Sequence, residues 1–243
     1  MRVESAIKDA FLKLKKKKIN SALLDSEILM SKAINKNREF IILNLQQELN
    51  KDDYFYFKEL INERSKGKPI AYLTGKKSFW KYDFEINENV LIPRPDTEIL
   101  VEQVLNIYKN KRNLNLLDIG SGSGCILLSI LKEKKHFYGT CIDLSNECLK
   151  ISKINADKLG IKNRIKFFKS DIDNFTYGKY DLIVSNPPYI KKLDLKYLEK
   201  DVVNFEPKLA LDGGLGGISE IRKVITKSSE LIKKRGKLIL EIA

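Results

Sequence analysis

From Asn113 onward the chain alternates short apolar runs of strand length with segments of helical period, and this alternation most constrains what it can fold into. The runs 115–119, 137–142, 164–169, 180–185 and 237–242 read as strands, and 125–131, 146–159 and 217–233 read as helices. Strands joined through helices need crossover connections, which give a parallel sheet covered on both faces. Such sheets gather ligands outside the carboxyl ends of their strands.

The first seventy residues follow a different period. Val3, Ile7, Ala10, Phe11 and Leu14 share one helical stripe, and Ile19, Leu23, Met30 and Ile34 share a second, widened by Leu24 and Ile28. A further helix is expected from about Asp52 to Arg64, capped near Lys51 or Asp52. These predict a small helical bundle over 1–73 that offers one face to a partner. Residues 74–92, with a loosely alternating pair at Lys76–Trp80 and Tyr82–Ile86, read as a hairpin linker. The α/β domain then occupies 93–243, opening with a helix from Ile99 to Tyr108.

Composition narrows the class. No apolar run approaches the roughly 20 residues that span a bilayer, so a membrane-embedded protein is excluded. The N-terminus lacks a secretory pattern, and three cysteines without a CxxC pair support neither a disulfide framework nor a cysteine zinc site. A cytoplasmic monomer is the expectation, and nothing calls for a metal. The single His136 excludes mechanisms needing two imidazoles and reads as structural. The net charge of +13 favours polyanionic partners in general, but it is carried mostly by lysine and spread over both halves, as a compositional bias would spread it.

Asp118-Ile-Gly-Ser-Gly-Ser-Gly124 joins the first strand of the α/β domain to its helix. Its glycines allow a sharp turn and a close backbone approach to a ligand. The loop lacks the Lys-Ser/Thr of a phosphate-binding P-loop. The second strand ends near Asp143, where a carboxylate accepts hydrogen bonds from ribose hydroxyls, and Asp171 follows the third strand within reach of an adenine amino group. Plain turn and cap roles remain open for both acids. An adenosine-bearing cofactor fits this set. Asp118, placed for a positively charged portion, favours S-adenosylmethionine over NAD.

The fourth strand runs into Asn186-Pro-Pro-Tyr189. Two prolines fix the backbone and remove two N–H donors. The acceptors left in reach are the Asn186 side-chain oxygen and the Pro187 carbonyl. Two acceptors aimed at one NH₂ group suit a planar amide or an aromatic amine, whose lone pair is delocalised and which needs orientation more than a strong base. Tyr189 adds a flat face.

With these residues in view, the sequence resembles the HemK/PrmC family, the protein-(glutamine-N5) methyltransferases of peptide chain release factors. The resemblance spans nearly the whole chain. It rests on Leu23-Leu-Asp-Ser-Glu27, Gly67-Lys-Pro-Ile-Ala-Tyr-Leu-Thr-Gly75, Phe79-Trp80, Leu91-Ile-Pro-Arg-Pro-Asp-Thr-Glu98, the glycine loop, Asn186–Tyr189 and Glu206-Pro-Lys-Leu-Ala-Leu-Asp-Gly-Gly214. The glycine loop alone would fit any class I S-adenosylmethionine-dependent methyltransferase.

The resemblance implies a Rossmann-like catalytic domain, mostly parallel, behind a helical domain that helps bind class I peptide chain release factors. It implies methyl transfer to the glutamine of their Gly-Gly-Gln motif, with S-adenosyl-L-homocysteine as by-product and no direct nucleic-acid substrate. It places Asp118, Gly120, Ser121, Gly122, Ser123, Gly124, Asp143 and Asn186 around the donor, with Asp171 and Ile172 flanking adenine. Asn186, Pro187, Pro188 and Tyr189 would hold the substrate, with Asn186, Pro187 and Tyr189 catalytic. Arg94 to Glu98 would border the same cleft without an assigned role. Ile172 departs from relatives that place an aromatic there.

Ala243 stands where the family normally reads Gly and continues, so the sheet is expected to lack its last two strands and to be less stable for it. N6-adenine methylation of DNA or RNA, and a non-catalytic donor-binding remnant, are the alternative readings.

Overall fold

The computed structural model describes residues 1–242. They fall into two compact units, Met1–Gly75 and a second beginning at Lys76.

The first unit contains α1 (Val3–Lys16), α2 (Ala22–Ala33), α3 (Arg38–Leu43), α4 (Lys51–Ser65) and the short α5 (Ile70–Thr74). In α1 the buried residues Val3, Ala6, Ile7, Ala10 and Leu14 form one stripe, as the helical period requires. The α2 stripe departs from expectation. Leu23 and Leu24 are exposed, and the buried face runs through Ala22, Asp25, Ser26, Leu29, Met30 and Ala33. Two polar side chains can face this core because both are satisfied. The Ser26 hydroxyl donates to the Ala22 carbonyl, and the Asp25 carboxylate takes the Arg64 Nε at 2.7 Å. The cap of α4 is also one residue earlier than expected. Asn50 accepts from the Asp53 amide, so neither Lys51 nor Asp52 caps the helix.

The second unit opens with the hairpin β1 (Lys76–Phe79) and β2 (Tyr82–Glu85). The segment read as a linker therefore divides. α5 ends in the first unit, whereas Phe79 and Phe84 are buried in the core of the second, ring centroids 6.0 Å apart and edge to face. Glu98 and Glu133 tie the hairpin tip down, through the Trp80 amide, the Trp80 indole N–H and the Tyr82 hydroxyl.

There follow α6 (Glu98–Ile107), β3 (Asn115–Ile119), α7 (Cys125–Glu133), β4 (Tyr138–Asp143), α8 (Asn146–Lys158), β5 (Ile165–Lys169), β6 (Tyr180–Ser185), α9 (Lys200–Phe205), α10 (Ser219–Leu231) and β7 (Ile232–Leu240). The five strands form one parallel sheet in the order β5-β4-β3-β6-β7. Leu116 and Leu117 alternate between two cores, one shared with α6, α7 and α8 and the other with α10, so both faces are covered.

β7 begins five residues before the expected Lys237. Its pairing with β6 shifts register between Tyr180 and Leu182, and Arg235 (φ 68°) turns the chain there. The order reverses between β3 and β6, making their carboxyl ends the switch point where a ligand fits. Among the described residues no helix is long and apolar enough to cross a membrane.

Candidate active site

Two loops leave the sheet at this switch point. The first follows β3. The Gly120 and Ser121 amides donate to the Ile142 carbonyl, and the Gly122 amide donates to Asp143 Oδ2 at 2.9 Å. These bonds fold the loop towards the end of β4. Gly120 and Gly122 hold φ of +72° and +53°, and a Cβ on either would meet nothing within 4 Å. The loop therefore presents bare backbone to open space, a cradle that side chains would fill.

Asn155, on α8, was not among the expected residues. Its amide is buried and donates to the Ser123 and Glu85 carbonyls, while its oxygen accepts from the Glu85 amide. It locks the loop to the hairpin. A polar residue at a buried position of a helix is the signal that marks it.

The expected donor residues take different places. Ser121 and Ser123 are buried, so the loop meets a ligand through its backbone and not their hydroxyls. Asp118 is 1% exposed and lies beneath the loop. Neither of its carboxylate oxygens has a hydrogen-bond partner among the described residues. Burial, opposed by the Leu127 backbone N–H and reinforced by Asp143 nearby, pushes its carboxyl up to about 7. Asp143 is half-buried at the end of β4, its two oxygens accepting from the Gly122 and Ser145 amides. Burial also raises its pKa. The Cys148 thiol also stands beside this carboxylate, and these three partners leave part of its acceptor capacity unused. Asp171 Oδ1 accepts from the Asp173 amide in a local turn, and Ile172 is buried against Phe175. Cys125, Cys141 and Cys148 are free and buried.

The second loop, Asn186–Tyr189, follows β6. Ser185 just before it is gripped on both sides. Its hydroxyl donates to the Ile119 carbonyl of β3, and its own carbonyl accepts from the Glu241 amide beyond β7. Asn186 Nδ2 donates to Thr97 Oγ1 at 3.3 Å. Burial raises the Tyr189 phenol, helped by Glu241 and Asp96 and opposed by Arg94.

The segment 206–217 backs this loop. The Ile190 amide donates to the Leu211 carbonyl, and the Ile190 carbonyl accepts from the Gly213 amide. A Cβ on Gly213 would sit 2.8 Å from Tyr189 Cα and 2.9 Å from the Pro188 carbonyl oxygen, so only glycine allows this approach. Arg94 Nη2 donates to the buried Glu206 Oε1 at 2.6 Å, and the Ile92 amide donates to Glu206 Oε2. This pair pins the 91–98 stretch to the segment behind the Asn186–Tyr189 loop. It gives Arg94 the role the sequence left unassigned.

A bare glycine cradle and a proline-fixed acceptor loop, set at adjacent strand ends of a parallel sheet, define a methyltransferase of the Rossmann-like class. Residues 95–213 match the methyltransferase small domain, and residues 5–75 match the PrmC N-terminal domain. The release factor glutamine methyltransferase of Clostridium acetobutylicum is 37% identical over 245 residues, covering 100% of this chain and 86% of that protein. Its namesake in Leptospira interrogans is 42% identical over 94% of this chain and 81% of its own length. A bifunctional methyltransferase of Rickettsia conorii is 34% identical over 99% of this chain and 51% of its own length. The chain belongs to the release factor glutamine methyltransferase family.

Proposed function

We propose that the chain transfers a methyl group from S-adenosylmethionine to the side-chain amide nitrogen of the glutamine in the Gly-Gly-Gln motif of class I peptide chain release factors. The observation that carries this reading is the Asn186–Tyr189 loop. It is fixed by two prolines and backed by Gly213, and it stands one strand away from the bare glycine cradle. The names of the Clostridium and Leptospira relatives supply the acceptor.

When bound, the donor supplies a methyl on a sulfonium, an electrophile that needs no metal. The residues fit such a molecule. Gly120 and Gly122 leave room for it, Asp143 offers acceptors to a diol, and Asp171 and Ile172 stand at the next strand end. Asn186 Oδ1 and the Pro187 carbonyl would each accept a hydrogen bond from one of the two amide hydrogens of the glutamine. That turns its nitrogen towards the cradle and returns electron density to it. As the N–CH₃ bond forms the S–CH₃ bond breaks, and one of those hydrogens then leaves the nitrogen as a proton to solvent. Tyr189 would cover the planar group, and Pro188 holds the loop's shape.

Incubation with labelled donor tests the reading, using a release factor, its Gly-Gly-Gln→Gly-Gly-Ala variant, DNA and RNA. Label on the wild-type factor alone is expected, and label on nucleic acid would replace the acceptor by an adenine amino group. Asn186→Ala should lower kcat by about 10³-fold, the loss typical of one pre-aligned transition-state partner. Donor affinity should be unchanged, and a parallel loss of donor affinity would remove Asn186 from the acceptor role.

A further inference from the structure

Three side chains from remote parts of the chain meet behind the acceptor loop. Asn186 follows β6, Glu241 follows β7, and Thr97 closes the turn before α6. Ser185 and Leu240 are register partners, and the Glu241 amide bonds the Ser185 carbonyl, so Glu241 is anchored beside Asn186. Thr97 is buried. Its hydroxyl oxygen accepts from Asn186 Nδ2, and the Glu241 side chain lies near both groups, each of which favours its charged form.

We propose that Glu241 is a positioning residue for methyl transfer, holding the Asn186 amide through Thr97 and directly so that Asn186 Oδ1 faces the acceptor glutamine.

A primary amide can be flipped by half a turn at little steric cost, and the flipped form would aim two donors at a substrate that needs acceptors. A carboxylate only accepts. Set beside Asn186 it draws Nδ2 towards itself and Thr97, which leaves Oδ1 for the cleft. Thr97 can accept from Asn186 and donate to Glu241 at once, so the three groups form a one-directional chain. A charged acceptor at its end also polarises the Asn186 amide, making Oδ1 the stronger acceptor.

A folding role alone does not account for this acid. Glu241 Oε2 is buried and has no partner among the described residues, an arrangement that burial penalises. Burial is the largest cause raising the Glu241 carboxyl, with Asp96 adding to it and Thr97 and Asn186 opposing it. Tyr189 and Cys125 also feel this carboxylate, and Arg94 opposes its effect on Tyr189. Glu206, by contrast, is buried with a guanidinium and a backbone amide on its two oxygens. The acid that pins the loops has a partner on each oxygen, whereas the acid beside Asn186 has none on Oε2.

The proposal rests on the release-factor reading, and its test separates the two. Glu241→Gln keeps the shape and removes the charge. It should lower kcat about tenfold while leaving the KM for the release factor, the donor dissociation constant and the melting temperature near wild type. Glu241→Ala frees the amide and should lower kcat about 100-fold. In an Asn186→Ala background neither change should lower kcat further. Independently of turnover, the ¹⁵N side-chain amide resonances of Asn186, identified by their loss in Asn186→Ala, should shift with pH in the wild-type chain and stay fixed in Glu241→Gln. An unchanged kcat in Glu241→Gln, a full multiplicative loss in the double variant, or a resonance indifferent to Glu241 would each overturn the proposal. A wild-type chain that leaves the release factor unlabelled would overturn the acceptor reading instead, with the resonance experiment still deciding the role of Glu241.

Discussion

Asp25 in the helical unit and Asp118 in the sheet unit are almost equally buried, 3% and 1% exposed, yet their surroundings are opposite. Asp25 receives the Arg64 guanidinium at Nε, and Nη1 of the same group donates to the Gly67 and Lys68 carbonyls. Asp118 receives no well-formed hydrogen bond among the described residues, and the Leu127 backbone N–H is the one group that favours its charged form. The helical unit spends its buried charge on holding α2, α4 and the following turn together. The sheet unit leaves acceptor capacity unused at its strand ends, at Asp118 and again at Glu241 Oε2, where its two loops leave the sheet. A buried acid with a partner marks architecture, and one without marks a place shaped for something else.

The largest effect should come from breaking the satisfied side of this contrast. Arg64→Ala leaves Asp25 buried with no counter-charge and frees two carbonyls. Removing one member of a buried pair costs about 3–5 kcal/mol, so urea unfolding followed by far-UV circular dichroism should show a loss in that range. A loss below about 1 kcal/mol would mean that Asp25 is not held by Arg64 in solution, and the two acids would then be alike.

The unsatisfied side should show itself through pH. The Asp118 carboxyl is raised from 3.8 to about 7, burial being the first cause and Asp143 a lesser one. The unfolded chain releases this proton near pH 4 and the native chain near pH 7, so in between the native state binds more protons. Stability should therefore be greatest below pH 4 as far as this group is concerned, and fall as pH rises to 7. At about 1.36 kcal/mol per unit the loss is at most about 4 kcal/mol. Asp118→Asn keeps the shape and cannot ionise, so its stability should be flatter from pH 4 to 7 than that of the wild-type chain. Identical slopes would mean that Asp118 has a counter-charge or water that lowers its pKa.

The legibility of these features follows the same division. β3 and β6 have the bounds their apolar runs suggest, and the glycine and Asn-Pro-Pro-Tyr loops are legible because glycine and proline act on the backbone where they stand. The α2 face was misread because Asp25 is made apolar in effect by Arg64, 39 residues away. The start of β7 was hidden by the irregular turn at Arg235, which breaks the strand period. Arg94–Glu206 and Thr97–Asn186 join residues 112 and 89 positions apart, and no local spacing encodes such pairs. Motifs announced the two loops, but the side chains that orient them became visible only when the sheet had brought their strands together.

Asp143 lies between the two extremes and gives the smallest effect, in two parts. Its carboxylate holds the Gly122 and Ser145 amides, which is architecture, and it is half-exposed at the strand end beside the cradle, where the proposed donor would lie. Asp143→Ala should cost about 1 kcal/mol of stability without donor, because two amides lose their acceptor but water can reach them. It should also raise the dissociation constant for S-adenosyl-L-homocysteine about tenfold, or about 1.4 kcal/mol, since a ribose diol loses its partner. Calorimetric titration separates these parts from a collapse of the loop. Asp143→Asn retains an acceptor for one of the two amides, so it should recover part of the stability and less of the affinity. If affinity were unchanged in both variants while stability fell, Asp143 would belong with Asp25 as an architectural acid, and the donor would have to be held by the glycine backbone and the end of β5 alone.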